Sequence, residues 1–361
     1  MKNPPKSSKR IGVILCGGLG ERFWPFSDET RPKYALRFGA KDTFLAATYT
    51  RLRELYNPSS LYVATAEEHA GLVRKLLPRI SSKQIIAEPL RRNTAAAVTL
   101  ATLLLSEKHG PDAVISFFPA DAMILGTDRF VRILRKAQHH AERNPAIILV
   151  GVRPTYPATG YGYIEAGKRT GTSGAFLVKG FVEKPPLRRA EHFIKTRRHF
   201  WNTGIFTWSP KLFFAEMQAH APDYLRRFRR LFGVSRPPES AVRGVFKRLP
   251  SVAIDRLLIE KSRRRAVFCA DFGWDDIGTW ESLRRIAPDG KGNVVCARGV
   301  FENLKDSVIF SEDLHVAACG LDGVVIAQKG PYLLICGPGK SQEVSRLRRQ
   351  ILSQISPRRG R

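Results

Sequence analysis

The residues best suited to chemistry lie close together near the N-terminus, in Ile11 to Lys33, IGVILCGGLGERFWPFSDETRPK. Gly17, Gly18 and Gly20 permit a tight turn whose successive backbone N–H groups point into one concavity, a nest that suits phosphate oxygens. Arg22 adds a planar fork for bidentate phosphate contact, and Lys33 a mobile point charge. Together they make a site for a polyphosphate, although the glycines alone are equally met by a plain tight turn. Two familiar phosphate loops do not fit. A Walker A loop needs Gly-Lys-Ser/Thr, whereas Glu21 and Arg22 follow Gly20, and the dinucleotide fingerprint needs a third glycine where Phe23 stands. Two carboxylates further on could serve a divalent cation, because magnesium takes few protein oxygens and completes its shell with substrate phosphates. Asp121 follows the apolar run Ala113-Val114-Ile115-Ser116-Phe117-Phe118, and Asp276 lies in the aromatic turn from Phe272 to Trp280. Taken singly, a helix cap explains Asp121 and a turn residue explains Asp276. The adjacent Asp275 either assists or sits in solvent.

Such residues need strands that end where they stand. Ile11 to Leu15 is apolar on both faces and stops at the glycines, as a central parallel strand does. Further strands are expected over residues 61–64, 113–117 and 147–150, and helices over 44–55, 69–77, 94–107 and 129–143. That alternation predicts an α/β fold, a Rossmann-like mixed and mostly parallel sheet covered on both sides. The middle third reads as short hairpin strands punctuated by Gly160, Gly162, Gly171, Gly174 and Gly180, and Arg226 to Ala241 as a surface connection between helices. From Gly292 onward short strands follow one another without helices, at Val294-Val295-Cys296, Val308-Ile309-Phe310, Val316-Ala317-Ala318, Val324-Val325-Ile326 and Leu333-Leu334-Ile335. They predict a small β-rich domain, either a β-helix-like coil or a small sheet. A terminal helix is expected over Ser341 to Ile355, with the last six residues frayed. The boundary is placed near Pro288, giving domains 1–288 and 289–361.

With 361 residues and 43% hydrophobic residues the chain can bury a full core. Five scattered cysteines form no C-x-x-C pair, which argues against a zinc site or a disulfide framework and for small buried side chains in a reducing cytoplasm. No run has the length of a signal-peptide core or a membrane span. Lys plus Arg number 60 against 32 Asp plus Glu, a net charge of +28. That field attracts any polyanion, but the basic clusters are dispersed and no nucleic-acid-binding module is visible. A solvated basic surface on an enzyme with phosphorylated ligands is the preferred reading, with no specific nucleic-acid or membrane partner.

The continuation of the opening loop carries a resemblance. Gly17 to Ser27 followed by Pro32-Lys33 is similar to the pattern G-G-x-G-E-R-x-W-P-x-S … P-K of the sugar-nucleotide pyrophosphorylases, and more narrowly of the mannose-1-phosphate guanylyltransferases. Further motifs resemble the family in order along the chain. Glu88-Pro89-Leu90-Arg91-Arg92-Asn93-Thr94-Ala95 is similar to E-P-x-x-R-N-T-A. Thr159 to Ile164 is similar to T-G-Y-G-Y-I, Phe181 to Pro185 to F-x-E-K-P, and Trp201 to Phe206 to W-N-S-G-x-F.

The resemblance implies that Gly17, Gly18, Gly20 and Glu21 belong to the nucleotide loop, and that Glu88, Asn93 and Thr94 lie against guanine and ribose. A carboxylate at Glu88 could accept both N–H donors of guanine, a role that a backbone carbonyl could equally fill. It further implies that Gly162 lets the backbone approach the sugar, that Glu183 and Asn202 bind hexose hydroxyls, and that Lys184 holds the sugar phosphate. Asp121 and Asp276 would be the Mg²⁺ ligands. GTP and mannose 1-phosphate would be the substrates and GDP-mannose the product, with Arg22, Lys33 and Lys184 as the catalytic cations. No general base is required, since a sugar phosphate is already ionised, and His69, His192 and His315 receive no catalytic role. A homodimer through the C-terminal domain is an expectation of the same kind. Ala122, Tyr34 and Ala253 depart from the family's usual His, Gln and Ser. Nothing resembling the family's isomerase extension follows residue 361, which suggests the short form. The rival readings are a transferase for another hexose phosphate or base, and a catalytically silent sugar-nucleotide-binding subunit.

Overall fold

The computed structural model describes residues 9–38, 41–170, 173–234, 237–286 and 288–355. The basic N-terminal octapeptide, Gly171 and the six terminal residues lie outside them. Among the described residues the strands are β1 (Arg10–Cys16), β2 (Leu61–Ala66), β3 (Ile85–Glu88), β4 (Val114–Pro119), β5 (Met123–Ile124), β6 (Ile147–Val152), β7 (Gly162–Thr170), β8 (Ala175–Glu183), β9 (His199–Trp208), β10 (Arg265–Ala270), β11 (Trp274–Asp275), β12 (Val294–Glu302), β13 (Val308–Cys319), β14 (Val325–Lys329) and β15 (Tyr332–Cys336). The α-helices are α1 (Phe44–Leu52), α2 (Ala70–Leu76), α3 (Asn93–His109), α4 (Thr127–Arg143), α5 (Leu187–Thr196), α6 (Pro210–His220), α7 (Pro222–Arg227), α8 (Glu239–Arg248) and α9 (Val344–Ile355). The chain forms two compact units, one of Met1–Gly17, Thr48–Ala120 and Ile124–Trp274, the other of Gly18–Ala47, Asp121–Met123 and Asp275–Arg361.

The first unit is built on a nine-stranded sheet in the order β3-β2-β1-β4-β9-β6-β10-β8-β7. β3, β2, β1 and β4 pair in parallel, and β9 runs against both β4 and β6. β10 is parallel to β6, β8 runs against β10, and β7 runs against β8. Only β8 and β9 therefore oppose the common strand direction, as a mixed, mostly parallel α/β sheet requires. Ile11, Val13 and Ile14 of β1 are fully buried, which fits a strand covered on both faces. The helix expected over 94–107 is α3, and it is buried around most of its circumference, from Ala95 through Leu103. Two helices, α5 and α6, follow the glycine-punctuated strands of the middle third and were not singled out in the sequence. The arginine-rich stretch after α7 is more than a surface connection. Phe228 and Leu231 are both fully buried there, anchoring the segment while its arginines stay exposed.

The second unit centres on the sheet β12-β13-β14-β15. β12, β13 and β14 stack in parallel, and β15 returns antiparallel. Residues 316–318 form no strand of their own but continue β13. The unit does not begin at Pro288, because the loop after β1 supplies much of its core. Phe23 and Phe26 pack edge-on against Trp280 with ring centroids 5.3 and 5.4 Å apart. Phe26 and Phe38 reach Phe310 of β13 at 5.8 and 5.6 Å. Burying four phenylalanines and a tryptophan binds Gly18–Ala47 to the C-terminal strands more firmly than sequence distance suggests. Val295, Val300, Leu314, Leu333 and Ile335 are apolar side chains of this sheet that stay exposed. None of the five cysteines forms a disulfide, and Cys319 is exposed rather than buried. Among the described residues no helix is long and apolar enough to cross a membrane.

Candidate active site

The second unit holds most of the residues matched to the polyphosphate loop and the metal. Gly20 adopts a left-handed conformation (φ +71°) and starts the short turn Glu21–Phe23. A Cβ there would stand 2.4 Å from Cβ of Lys33, so both the turn and the lysine's approach require glycine. At Gly17 and Gly18 a Cβ would meet nothing within 4 Å, leaving open space over this part of the loop. The lysine is buried, only 6% exposed. Its Nζ lies 2.9 Å from Oδ2 of Asp121 and also donates to the backbone carbonyl of Asp276. One cation thus gathers both residues matched to metal ligands. Arg22 donates from Nη1 to Oε1 of Gln342 at 2.9 Å, and Glu21 is ion-paired with Arg348 at 3.4 Å.

Asp275 does not sit free in solvent. Arg285 grips its carboxylate through two hydrogen bonds of 2.5 and 2.9 Å, and its Oδ1 also accepts the N–H of Ile277 at 2.8 Å. Ile277 is fully buried with φ +46°, an unusual conformation for a β-branched residue that the surrounding structure must hold in place. The strained turn fixes Asp276 next to it. Among the described residues no group of three or more His, Cys, Asp or Glu is arranged for a metal, so there is no closed protein cage. Two aspartates with oxygen donors, half-exposed at Asp121, fit magnesium, which keeps positions for water and substrate phosphate. Of the family departures, Tyr34 and Ala122 are both buried in the core.

The first unit holds the residues matched to the hexose. Gly162 opens β7, and a Cβ there would stand 2.7 Å from Oε2 of Glu183 and 3.3 Å from Cβ of Asn202. Glycine therefore lets both expected sugar ligands converge on one backbone. Burial raises the Glu183 carboxyl above its usual range, Glu260 adding to the shift while Lys184 and Arg256 oppose it. Lys184 stands in a left-handed conformation (φ +51°) with an exposed side chain, its Nζ 3.6 Å from Oε1 of Glu183. Asn202 donates from Nδ2 to Oδ1 of Asp255 at 2.9 Å and accepts the N–H of Gly204 at 3.2 Å, which fixes its amide orientation.

Asp255 and Glu260 escaped the sequence reading. Burial and the charge of Glu183 push Asp255 up to about 7, and Glu260 accepts the backbone N–H of Glu183 at 3.0 Å. Five residues apart, the two do not share a face of an α-helix. The segment Asp255–Ile259 instead carries an i→i+5 bond, Glu260 N–H to Asp255 O at 2.8 Å, a local widening common at functional sites. Two carboxylates in the run VAIDRLLIE, apolar apart from them and Arg256, were the available signal.

The segment matched to the guanine motif is arranged differently from a bare carboxylate. Glu88 ends β3 on the same face as Ile86, only 6% exposed, and burial pushes its carboxyl up to about 8 against the pull of Arg91. At neutral pH it is largely protonated, a donor and an acceptor rather than a double acceptor. Asn93 starts α3 at φ +64°, exposed, with its Oδ1 accepting the N–H of Thr94 at 2.7 Å. The Thr94 hydroxyl accepts the N–H of Ile254 at 3.0 Å, tying α3 to the segment that carries Asp255.

Known proteins share this outline. The sequence profile of the nucleotidyl transferase family matches residues 11–291. The chain belongs to this family. As a nucleotidyltransferase it is 33% identical over 355 residues to a mannose-1-phosphate guanylyltransferase of Sinorhizobium fredii, covering 96% of this chain and 69% of the relative. A mannose-1-phosphate guanylyltransferase of Escherichia coli is 33% identical over 351 residues, 94% of this chain and 75% of that one. A crystal structure described as mannose-1-phosphate geranyltransferase from Thermus thermophilus superposes with a TM-score of 0.86 at 30% identity, covering 95% of this chain and 99% of that chain. The fold alone is shared with a structure described as mannose-6-phosphate isomerase from Helicobacter pylori, with a TM-score of 0.60 at 23% identity, covering 73% of this chain and 99% of that one.

Proposed function

We propose that this nucleotidyltransferase converts GTP and mannose 1-phosphate into GDP-mannose and pyrophosphate. A phosphate oxygen of mannose 1-phosphate bonds to the α-phosphorus of GTP. The bond from that phosphorus to its oxygen bridging the β-phosphate breaks, and pyrophosphate leaves with the electron pair. The observation that carries the reading is Lys33, buried and bonded to the carboxylate of Asp121 and the backbone carbonyl of Asp276, which brings the polyphosphate cation against both residues matched to metal ligands. The names of the relatives, mannose-1-phosphate guanylyltransferase in both S. fredii and E. coli, favour mannose and guanine over other hexoses and bases.

Catalysis of this kind is mainly positioning and neutralisation of charge. The Gly17 to Glu21 backbone with Arg22 and Lys33 binds the triphosphate and offsets the charge that grows on the departing pyrophosphate. Lys184 neutralises the sugar phosphate, while Glu183 and Asn202, steadied by Asp255, orient the hexose through its hydroxyls. Asn93 and Thr94 contact the nucleoside, and guanine is read by Glu88 or by a backbone carbonyl near it. Mg²⁺ held by Asp121 and Asp276 would supply Lewis-acid neutralisation at the reacting phosphates. Five cysteines without a disulfide support a cytoplasmic enzyme, and the exposed apolar side chains of β12–β15 support a homodimer through that sheet.

Phosphorus NMR of a reaction with GTP, mannose 1-phosphate and magnesium should show GDP-mannose and pyrophosphate appearing in equal amounts. A protein that bound GDP-mannose but released no pyrophosphate under the same conditions would instead favour the silent sugar-nucleotide-binding subunit.

A further inference from the structure

Two side chains from the C-terminal segment reach the phosphate loop, and neither belongs to any motif of the family resemblance. Gln342, exposed just ahead of α9, accepts from Nη1 of Arg22 through its Oε1 at 2.9 Å. This is the sole hydrogen bond or ion pair of the Arg22 side chain among the described residues. One turn and a half further on, Arg348 is only 5% exposed and holds the same loop at two points. It pairs with Glu21 at 3.4 Å and donates to Oε1 of Glu29. Those carboxylates flank Arg22 on the chain, so the loop is pinned on both sides of the buried Phe23 to Phe26 aromatics.

The helix that delivers these groups is itself anchored. Val344, Arg348 and Ile351 recur at spacings of four and three, one face of a helix, and Val344 and Ile351 pack into the aromatic core of the second unit. The N–H of Ser341 donates to Glu281 at 3.2 Å, fixing the chain immediately before Gln342. A buried guanidinium without its carboxylates would be costly, which makes the Arg348 contacts a strong constraint on loop position. A neutral amide is the appropriate partner for Arg22. It orients the guanidinium through one N–H, leaves the other donors for an anion, and withdraws no charge from it.

We propose that Gln342 and Arg348 are positioning residues for nucleotidyl transfer. Gln342 aims Arg22, and Arg348 holds the loop from which Arg22 projects. The inference rests on the assignment of Arg22 to the triphosphate and departing pyrophosphate. It makes the C-terminal helix part of the catalytic apparatus and not only a cap on the β-rich sheet.

The test is a double-mutant cycle on the full-length enzyme, with Arg22→Ala, Gln342→Ala and the combined variant, read as kcat and KM for GTP and for mannose 1-phosphate. Gln342→Ala is expected to lower kcat/KM for GTP about tenfold and to leave KM for mannose 1-phosphate and the melting temperature unchanged. Adding it to Arg22→Ala should cost nothing further. Gln342→Glu, which gives Arg22 a carboxylate to neutralise, should raise KM for GTP more than the alanine does, whereas Gln342→His or another neutral acceptor should recover part of the loss. Arg348→Ala should lower both stability and kcat. Arg348→Lys should restore stability in part but not kcat, because a point charge cannot bridge two carboxylates as a fork does. If Arg22→Ala is harmful but Gln342→Ala and Gln342→Glu behave as wild type, the positioning role is wrong and the assignment of Arg22 stands. If Arg22→Ala itself leaves GTP kinetics unchanged, that assignment fails and the inference falls with it. Equal, additive losses on the two backgrounds would also overturn it.

Discussion

Replacing Gly162 by alanine tests how the hexose half is assembled. The added methyl carbon would stand 2.7 Å from Oε2 of Glu183, 3.0 Å from Cζ of Phe181 and 3.3 Å from Cβ of Asn202. Real carbon–oxygen contacts are wider by roughly half an ångström or more, so at least one neighbour must move. Phe181 is buried, and Asn202 is tied to Asp255 and Gly204, which leaves the Glu183 carboxylate as the group that gives way. A shift approaching 1 Å in a substrate-positioning group costs up to about a hundredfold in rate. We expect kcat/KM for mannose 1-phosphate to fall by about ten- to a hundredfold, KM for GTP to hold within about twofold, and stability to drop by about 1–3 kcal/mol from overpacking. Steady-state kinetics with each substrate varied in turn, and urea denaturation of the same preparations, provide the readouts. Unchanged kinetics for mannose 1-phosphate in a folded variant would refute the convergence of Glu183 and Asn202 on the sugar.

Gly20→Ala sets a Cβ 2.4 Å from Lys33 at φ +71° and should cost about 2 kcal/mol or more together with most of the activity, whereas Gly18→Ala, with open space around it, should leave the melting temperature close to wild type. Matching melting temperatures for the two variants would contradict this. Burial raises the carboxyls of Glu88 and Asp255 to about 8 and about 7 from 4.5 and 3.8, so the folded chain keeps protons that the unfolded chain releases. Their stabilising contribution is therefore complete below about pH 4 and is lost as pH rises through 7 and 8, a decline of the order of a few kcal/mol. Urea midpoints of Glu88→Gln against pH should show a visibly shallower decline than wild type, and an unaltered slope would contradict it. Ile335→Asp places a charge among the exposed apolar side chains of β12–β15 and should convert a dimer to a monomer by light scattering without loss of fold, whereas an unchanged mass would remove that patch from the interface.

What could be read from the sequence was what depends on near neighbours. The turn proposed to hold the polyphosphate was legible as a turn because Gly17, Gly18, Gly20 and Arg22 fall within six residues of one another after an apolar strand. The glycine requirement at Gly20 was also visible, although its second cause, the approach of Lys33, needs the fold. The mostly parallel sheet followed from strands alternating with helices. The hexose half was legible only through motif likeness, because Glu183, Asn202 and Asp255 come from separate segments and meet through tertiary packing. Asp255 and Glu260 were missed since a search at the 3.6-residue period does not align positions five apart. Glu88 was read as a carboxylate because its type is polar, and its burial beside Ile86 becomes apparent only once β3 is placed. Arg348 shows the same limit from the other side. It looked like one more cation in Arg346 to Arg349, yet it alone of that cluster is buried against two carboxylates.

The central claim, that this nucleotidyltransferase joins guanylate to mannose 1-phosphate, is tested most directly by a panel of nucleoside triphosphates against hexose 1-phosphates, scored for pyrophosphate release with magnesium present. GTP with mannose 1-phosphate is expected to give the highest kcat/KM of any pair. A preference for UTP or dTTP, or for glucose 1-phosphate over mannose 1-phosphate, would contradict it.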